Sequence, residues 1–457
     1  MNKFILQGLT IGLILLSNAT CNAATIDRDK LESALKTHVT AETKGVGLFV
    51  GVINGSQREF ISVGRPDKTS TRTLDENSLY EIGSISKTFT GILLADMVLK
   101  GEVKLDDSAA KYLPKGITLP TRDGKQITLL NLATHSSSLP RMPDNFSPKD
   151  HSNPFQDYSV EDMYEFLSDH KLSRDIGSVA EYSNFGMGLL GHILALKAGL
   201  SYEELIKERI LKPLAMNNTV ITITRGLENQ FTTGHDNTGT ATSHWDIPTL
   251  AGAGAIRSTG KDMMAYLEAN MGLIETPLSE AIELSHQFQR EFGNETMAIG
   301  LSWIRTKTPT GNIIWHNGGT GGFRSYTGFD KENALGVVVL ANSQENSDNI
   351  GQAILSEQIE SLVIGKKIEI VLTRDQLLAY VGDYQLAPDF ILTISEENGE
   401  LHAQATGQGK MPVFASAENK FFFKVVLASL TFNKNSKGEV ESLILHQNGN
   451  HLAAKVK

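Results

Sequence analysis

Leu31, Ala34, Leu35 and His38 recur at helical spacing, so Asp27 to His38 reads as a first helix with Asp27 as its cap. Two strand-like runs follow, Val46–Ile53 and Arg58–Val63, joined across the hairpin signal Asn54-Gly55. Leu79–Gly83 leads into Ser84, and a long apolar helix is predicted from there to about Lys100 through Ile85, Phe89, Ile92, Leu93 and Met97. Leu139–Pro154 is rich in Pro, Asp and Asn and reads as a long loop. Helical patterns return at Val160–Leu167, Phe185–Ala198 and Tyr202–Leu211. Strand patterns then cover Ala298–Thr306, Gly311–His316, Phe323–Asp330 and Leu335–Asn342. Early strands, a helical middle and late strands predict an α+β domain, an antiparallel sheet flanked by helices, completed by both ends of the segment.

Beyond Ile364 the pattern changes. Lys366-Lys367 reads as linker, and short alternating strands begin near Tyr380. Phe390, Leu392 and Ile394 alternate with Ile391, Thr393 and Ser395, and Asn398-Gly399 turns the chain into Leu401–Ala405. Phe421–Val426, Leu430–Asn433, Val440–His446 and His451–Val456 follow at meander spacing, which predicts a small all-β barrel or sandwich.

The N-terminus changes the picture of where the protein works. Lys3 precedes an apolar run from Phe4 to Leu16, and small residues then surround Ala23, the pattern of a secretory signal peptide cut after that residue. The run is shorter than the roughly 20 residues a spanning helix needs. Cys21 is the only cysteine, and Asn18 and Thr20 suit a lipoprotein box poorly. The expected divisions are a signal peptide over 1–23, an enzymatic domain over 24–365 and a barrel over 372–457, in a secreted or periplasmic protein with no stable membrane insertion after cleavage. One cysteine excludes disulfide scaffolds, Fe–S clusters and Cys-based zinc sites. The net charge of −10 argues against a nucleic-acid partner, and 40% hydrophobic residues rule out wholesale disorder.

The candidate chemistry is that of a serine hydrolase. G-x-S-x-G and H-E-x-x-H are both absent, and no glycine-rich phosphate loop follows a strand, so no metal or cofactor is expected. S-x-x-K places a lysine one helical turn from a serine, where it can accept the hydroxyl proton. The motif occurs five times, at Ser33, Ser84, Ser108, Ser168 and Ser258, and only Ser84 follows a strand-like segment and opens a long apolar helix. Backbone N–H groups at such a helix start favour a developing oxyanion. Tyr182-Ser183-Asn184 is the only Y-x-N, and His316-Asn317-Gly318 is the only H-x-G, ending a strand before Gly319-Thr320-Gly321-Gly322.

The order of these three elements resembles the serine β-lactamase and penicillin-binding-protein superfamily, in the class C branch that includes DD-peptidases, D-amino-acid peptidases and certain esterases. Leu79–Lys87, Leu132–Pro140, Glu181–Gly191, Pro213–Met216 and Asn317–Tyr326 carry the likeness over roughly residues 30 to 360. The segment from about Leu372 to Lys457 resembles the lipocalin-like domain attached to some members. A barrel that holds a small ligand and one packed solid are both open, given its size. Ser347-Asp348-Asn349 matches another element of the superfamily in the wrong order and reads as a solvated turn. Ser138 stands where the family usually has glycine, and His316 where β-lactamases usually have lysine.

The resemblance implies Ser84 as nucleophile, Lys87 and Tyr182 as the proton-transfer pair, and Asn184 as the group that holds the substrate amide. Tyr182 is the base this branch favours, although the residues alone leave Lys87 and Tyr182 as alternatives. The oxyanion would meet the N–H groups of Ser84 and Gly319, with Gly318 and Gly319 letting the backbone approach the substrate. His316 would face a substrate carboxylate with a partial, pH-dependent charge. His135 reads as a turn residue, and Arg324 as a surface residue or a carboxylate ligand. The resulting expectation is a DD-peptidase or D-amino-acid peptidase-like enzyme acting on a small peptide. A class C-like β-lactamase, an esterase for small esters and a non-catalytic β-lactam or peptidoglycan binder are the alternatives.

Overall fold

The computed structural model describes residues 26–40, 43–308, 311–363, 369–387, 390–423, 428–435, 437–446 and 450–456. The expected signal peptide and the Lys366-Lys367 linker lie outside the described residues, as does part of the segment Phe421–Val426. By its internal contacts the chain divides into two compact units, Met1–Val363 and Ile364–Lys457.

The first unit is built on one eight-stranded antiparallel sheet. Its strands in chain order are β1 (Gly47–Asn54), β2 (Gln57–Gly64), β7 (Arg290–Phe292), β8 (Asn294–Ile299), β9 (Ile304–Thr308), β10 (Gly311–Gly319), β11 (Arg324–Asp330) and β12 (Leu335–Ala341). The spatial order is β2-β1-β12-β11-β10-β9-β8-β7, so the first hairpin joins the late strands through β1 and β12. Two-stranded pairs are made by β3 (Leu79–Glu81) with β6 (Arg257–Thr259), and by β4 (Gly234–His235) with β5 (Ala241–Thr242). The helices are α1 (Arg28–Lys36), α2 (Ser86–Leu99), α3 (Leu129–Ala133), α4 (Val160–Asp169), α5 (Asn184–Ala198), α6 (Tyr202–Ile206), α7 (Ala251–Gly254), α8 (Gly260–Met271), α9 (Ser279–His286) and α10 (Ser347–Leu355).

Alternation along the central strands feeds two cores. Leu48, Val50 and Val52 of β1 and Val337, Val339 and Ala341 of β12 join Leu31 and Leu35 of α1 and Ile350 and Ile354 of α10. Phe49 and Ile53 of β1 and Val338 and Leu340 of β12 join the larger core, which holds the apolar residues of α2, α5 and α8. Helices thus cover both faces, which is why β1 is buried at every position. Helix α2 is buried from Ser86 to Met97. Each apolar side chain so enclosed contributes about 1.5–3 kcal/mol.

Three local departures from the sequence reading have physical causes. Ser84 sits in a single 3₁₀ turn, Gly83–Ile85, ahead of α2, because Gly83 takes φ +50° and delays the α-helix by one turn. The expected strand Ala298–Thr306 is two strands, broken where Ser302 adopts φ +71°. Ser138 takes φ +66°, a conformation that favours glycine, and its hydroxyl donates to Arg174 O at 2.8 Å.

In the second unit, helix α11 (Arg374–Leu378) precedes a closed antiparallel barrel. Its strands are β13 (Gly382–Ala387), β14 (Phe390–Glu397), β15 (Glu400–Ala405), β16 (Met411–Ala417), β17 (Lys420–Phe422), β18 (Ser429–Lys434), β19 (Val440–His446) and β20 (Asn450–Lys455). Pairing of Tyr384 with Lys455 closes it. The alternation of Leu392 and Ile394 with Thr393 places the apolar set inside. Phe432 packs against Tyr380, Phe421 and Tyr384 with ring centroids 4.8, 5.5 and 5.6 Å away. These rings pack part of the barrel interior with side chains.

Candidate active site

Ser84 is held where three elements meet. Ile82, two residues earlier, accepts a hydrogen bond from Ser325 Oγ of β11 at 2.8 Å. Glu81 of β3 accepts from the Trp245 N–H at 2.7 Å and faces Arg257 of β6 at 3.7 Å. Gly83 meets the last residue of β10 so closely that a Cβ there would lie 2.6 Å from Gly319 N. Glycine is thus required at 83 both for its positive φ and for this approach. Gly318 is equally tight, since any side chain there would collide with Ile82 O.

One helical turn after Ser84, Lys87 turns inward. Its Nζ lies 2.9 Å from Ser84 Oγ and donates to Ala253 O of α7 at 2.6 Å. No carboxylate among the described residues pairs with it. Burial and the positive charge of Arg141 hold its pKa well below the ordinary lysine value. Lys87 Nζ also lies 4.9 Å from the centre of the Tyr182 ring, with the Arg141 guanidinium 5.0 Å from that same centre. Burial pushes the Tyr182 phenol up to about 12, against the opposing influences of Ser84 and Arg141. Two residues on, Asn184 opens α5, its N–H donating to Arg141 O at 3.1 Å.

The far wall is the end of β10, paired with β11 through Gly318↔Ser325 and Gly319↔Arg324. His316 is 1% exposed, its ring centroid is 6.3 Å from that of Tyr182, and its Nδ1 lies 2.6 Å from Asn317 O. That carbonyl can only accept, so the ring proton sits on Nδ1. Burial and the neighbouring Lys87 push His316 down to about 3. Burial thus disfavours the partial charge expected for His316. The cation at this wall is Arg324, half-buried above Gly319, with Nη1 3.3 Å from Phe323 O and 3.4 Å from Thr320 O. Ser347-Asp348-Asn349 is corrected too. It forms the first turn of α10, with Ser347 buried and Asp348 accepting from Asn317 Nδ2 at 2.6 Å. Among the described residues no cluster of His, Cys, Asp or Glu could hold a metal.

Comparison with known proteins meets this geometry. A family model described as Beta-lactamase matches residues 31–359, well over half of the chain. The chain belongs to the β-lactamase family. A second model, described as a domain of unknown function, matches residues 367–455. The chain is 30% identical over 320 residues to a D-alanyl-D-alanine-carboxypeptidase/endopeptidase AmpH of Escherichia coli (strain K12), covering 66% of this chain and 81% of that protein. It is 28% identical over 344 residues to a β-lactamase of Pseudomonas fluorescens, covering 68% of this chain and 93% of the relative. Among solved structures, a β-lactamase/D-alanine carboxypeptidase from Yersinia pestis complexed with citrate superposes with a TM-score of 0.64 at 25% identity, covering 74% of this chain and 99% of that one. The protein is a serine hydrolase of the β-lactamase and penicillin-binding-protein group with class C-like relatives, and its fold is mixed helix and sheet.

Within this β-lactamase-family unit, Ser84, Lys87, Tyr182, His316 and Gly319 come together from the 3₁₀ turn before α2, α2 itself, the segment before α5 and β10. Gly318 packs beneath them, and Asn184 stands two residues beyond Tyr182. Sequence reasoning missed Arg141, which acts on both Lys87 and Tyr182. Its only signal was its place directly after Ser138-Leu139-Pro140. It also missed Ala253, which had no signal at all, because any residue supplies a backbone carbonyl.

Proposed function

We propose that the protein is an exported DD-peptidase-like or D-amino-acid peptidase-like enzyme that works through an acyl-Ser84 intermediate. The observation that carries the mechanism is Lys87, buried without a carboxylate partner among the described residues and 2.9 Å from Ser84 Oγ. A neutral amine has N–H groups and one lone pair. One N–H keeps the bond to Ala253 O, and the lone pair faces the serine hydroxyl. Lys87 is therefore the base, and Tyr182, held protonated, is the acid. This departs from the family preference for the tyrosine.

The reaction follows from these roles. Ser84 Oγ attacks the substrate carbonyl carbon while its proton passes to Lys87 Nζ. The N–H groups of Ser84 and Gly319 receive the oxyanion, a kind of contact worth about 10²–10³ in rate. The carbon–nitrogen bond breaks as Tyr182 gives its phenolic proton to the leaving amine and regains one from Lys87. Water then releases the acyl group and restores Ser84. Asn184 holds the substrate amide. Arg324, the charged group beside Gly319, takes the carboxylate of the leaving residue in place of the neutral His316.

Support for a peptidase over a β-lactamase is the AmpH relative, named for action on D-alanyl-D-alanine, together with Arg324 at the leaving-group side. The test is release of D-alanine from an acylated peptide ending in D-Ala-D-Ala, with Ser84→Ala as control. Arg324→Gln should raise KM about tenfold or more for the free peptide, the value of a charged hydrogen bond, and leave its C-terminal amide unaffected. Rapid consumption of a penicillin with no lasting mass adduct, and no D-alanine release, would replace this reading with a β-lactamase. Export is tested by N-terminal sequencing of the secreted protein, which should begin at Ala24.

A further inference from the structure

His135 lies outside the reaction just described, yet one residue could hardly grip Tyr182 more fully. Its carbonyl accepts the N–H of Glu181 at 2.8 Å, and its Nδ1 accepts the N–H of Ser183 at 3.1 Å. Those are the two chain neighbours of Tyr182. Between them, the imidazole lies against the Tyr182 ring, with centroids 4.5 Å apart and planes tilted by 34°. The ring is 1% exposed.

The backbone at this position is itself unusual. His135 takes φ +55°, a region that non-glycine residues enter at a cost. The turn is pinned on both sides: the N–H of His135 donates to Leu132 O at 3.3 Å, and that of Ser136 to Asn131 O at 2.8 Å. In this conformation the carbonyl and the side chain of one residue face the same passing segment. A glycine would relieve the backbone and give up the side-chain contacts. The ring also buries an Nε2 with no partner among the described residues. Because Nδ1 accepts, the proton sits on that Nε2, and leaving it unbonded is a further cost. Burial, with Lys87, His316 and Arg141 nearby, keeps the ring neutral, which the acceptor role of Nδ1 demands. Two unfavourable features are thus retained at one residue whose carbonyl, Nδ1 and ring face all meet Tyr182 or its chain neighbours, with Phe292 at 6.1 Å as a second ring neighbour.

We propose that His135 is the positioning residue of Tyr182, clamping the flanking peptide N–H groups and the face of the ring so that the phenol meets Ser84 and the leaving group. This rests on the reading of Tyr182 as the proton-transfer acid. It differs from a plain packing role, in which any group of suitable bulk would serve.

The experiment measures kcat and KM for D-alanine release from the D-Ala-D-Ala peptide in the full-length protein. Its variants are His135→Gly, His135→Asn, Tyr182→Phe and the double variant Tyr182→Phe with His135→Gly. Gly and Asn both tolerate the positive φ, and only Asn offers an oxygen where Nδ1 stands. A misplaced catalytic group costs on the order of 10²-fold, so His135→Gly should lose about that much in kcat with KM changed by less than about threefold. His135→Asn should recover about tenfold of that loss, and in the Tyr182→Phe background His135→Gly should cost less than about threefold. Thermal melting of each variant reports folding. Should the Gly variant fail to fold, Asn against Ala makes the same comparison. A full kcat in His135→Gly beside an inactive Tyr182→Phe would overturn the positioning role alone. So would an Asn variant no better than Gly, or equal losses in both tyrosine backgrounds. A fully active Tyr182→Phe would overturn the role of Tyr182, and the inference with it.

Discussion

The two units of this chain solve the problem of a core in opposite ways. In the barrel, the buried class among the described residues consists of apolar and tyrosine side chains. In the hydrolase unit, Lys87, His135, His316, Glu81 and Arg257 are all buried. Burying such groups costs stability unless each finds a partner, and several here keep an unbonded polar atom. Among the described residues, the barrel leaves only Ser395 Oγ and His402 Nδ1 buried without a partner. The hydrolase unit gathers buried Lys87, His135 and His316 around one serine and its neighbour Tyr182. The difference teaches where function sits: in the region whose packing cannot be explained by stability alone.

The largest effect that would sharpen this comparison comes from replacing the buried cation by an apolar group of similar length. Lys87→Met should lower kcat/KM by about 10³-fold, the scale of a lost proton acceptor, while thermal stability holds or rises because an unpaired buried amine is gone. A variant that lost stability along with activity would mean that the lysine also holds the fold.

Next in size is the barrel core. Phe432→Ala removes a ring that touches three others and should destabilise the barrel by about 3–5 kcal/mol. All three tryptophans, Trp245, Trp303 and Trp315, belong to the hydrolase unit. Urea unfolding followed by tryptophan fluorescence should therefore keep its midpoint, while the far-ultraviolet dichroism acquires an earlier transition. A shift of both together would mean that the units unfold as one.

The smallest effect is electrostatic. In the proposed mechanism the neutral amine of Lys87 is the active form, so rate should rise with pH as Lys87 loses its proton. Arg141 depresses that pKa, so Arg141→Gln should move the acid limb of kcat/KM to higher pH. Arg141 is exposed, so the shift should shrink as salt is added. His316, neutral above about pH 4, should contribute no limb between pH 6 and 8, and its replacement should leave the profile's shape unchanged.

Much of the site was legible because it is local or carried by a motif. Ser84 and Lys87 are one turn apart in any helix, so their adjacency follows from spacing alone. Tyr182, Asn184, His316, Gly318 and Gly319 were found through their pattern and order, which mark positions without explaining charges. Gly83 passed as one more glycine until β10 was seen lying against it. His135 read as a turn residue because the N–H groups it accepts belong to residues 46 and 48 positions away.

By itself, then, the sequence determined the periodicities of the elements, their order, the serine–lysine pair and the split between an α+β unit and a strand-rich one. Those follow from local geometry and from where apolar residues fall. Only the tertiary structure decided that Lys87 finds no carboxylate partner among the described residues, that burial raises the Tyr182 phenol and lowers His316, and that Arg324 is the charged side chain beside Gly319. A protonation state depends on how far a group is removed from water and on which charges surround it. Those surroundings are assembled from β10, α7 and the loop around Arg141, segments far from Ser84 along the chain, so no window of sequence contains them.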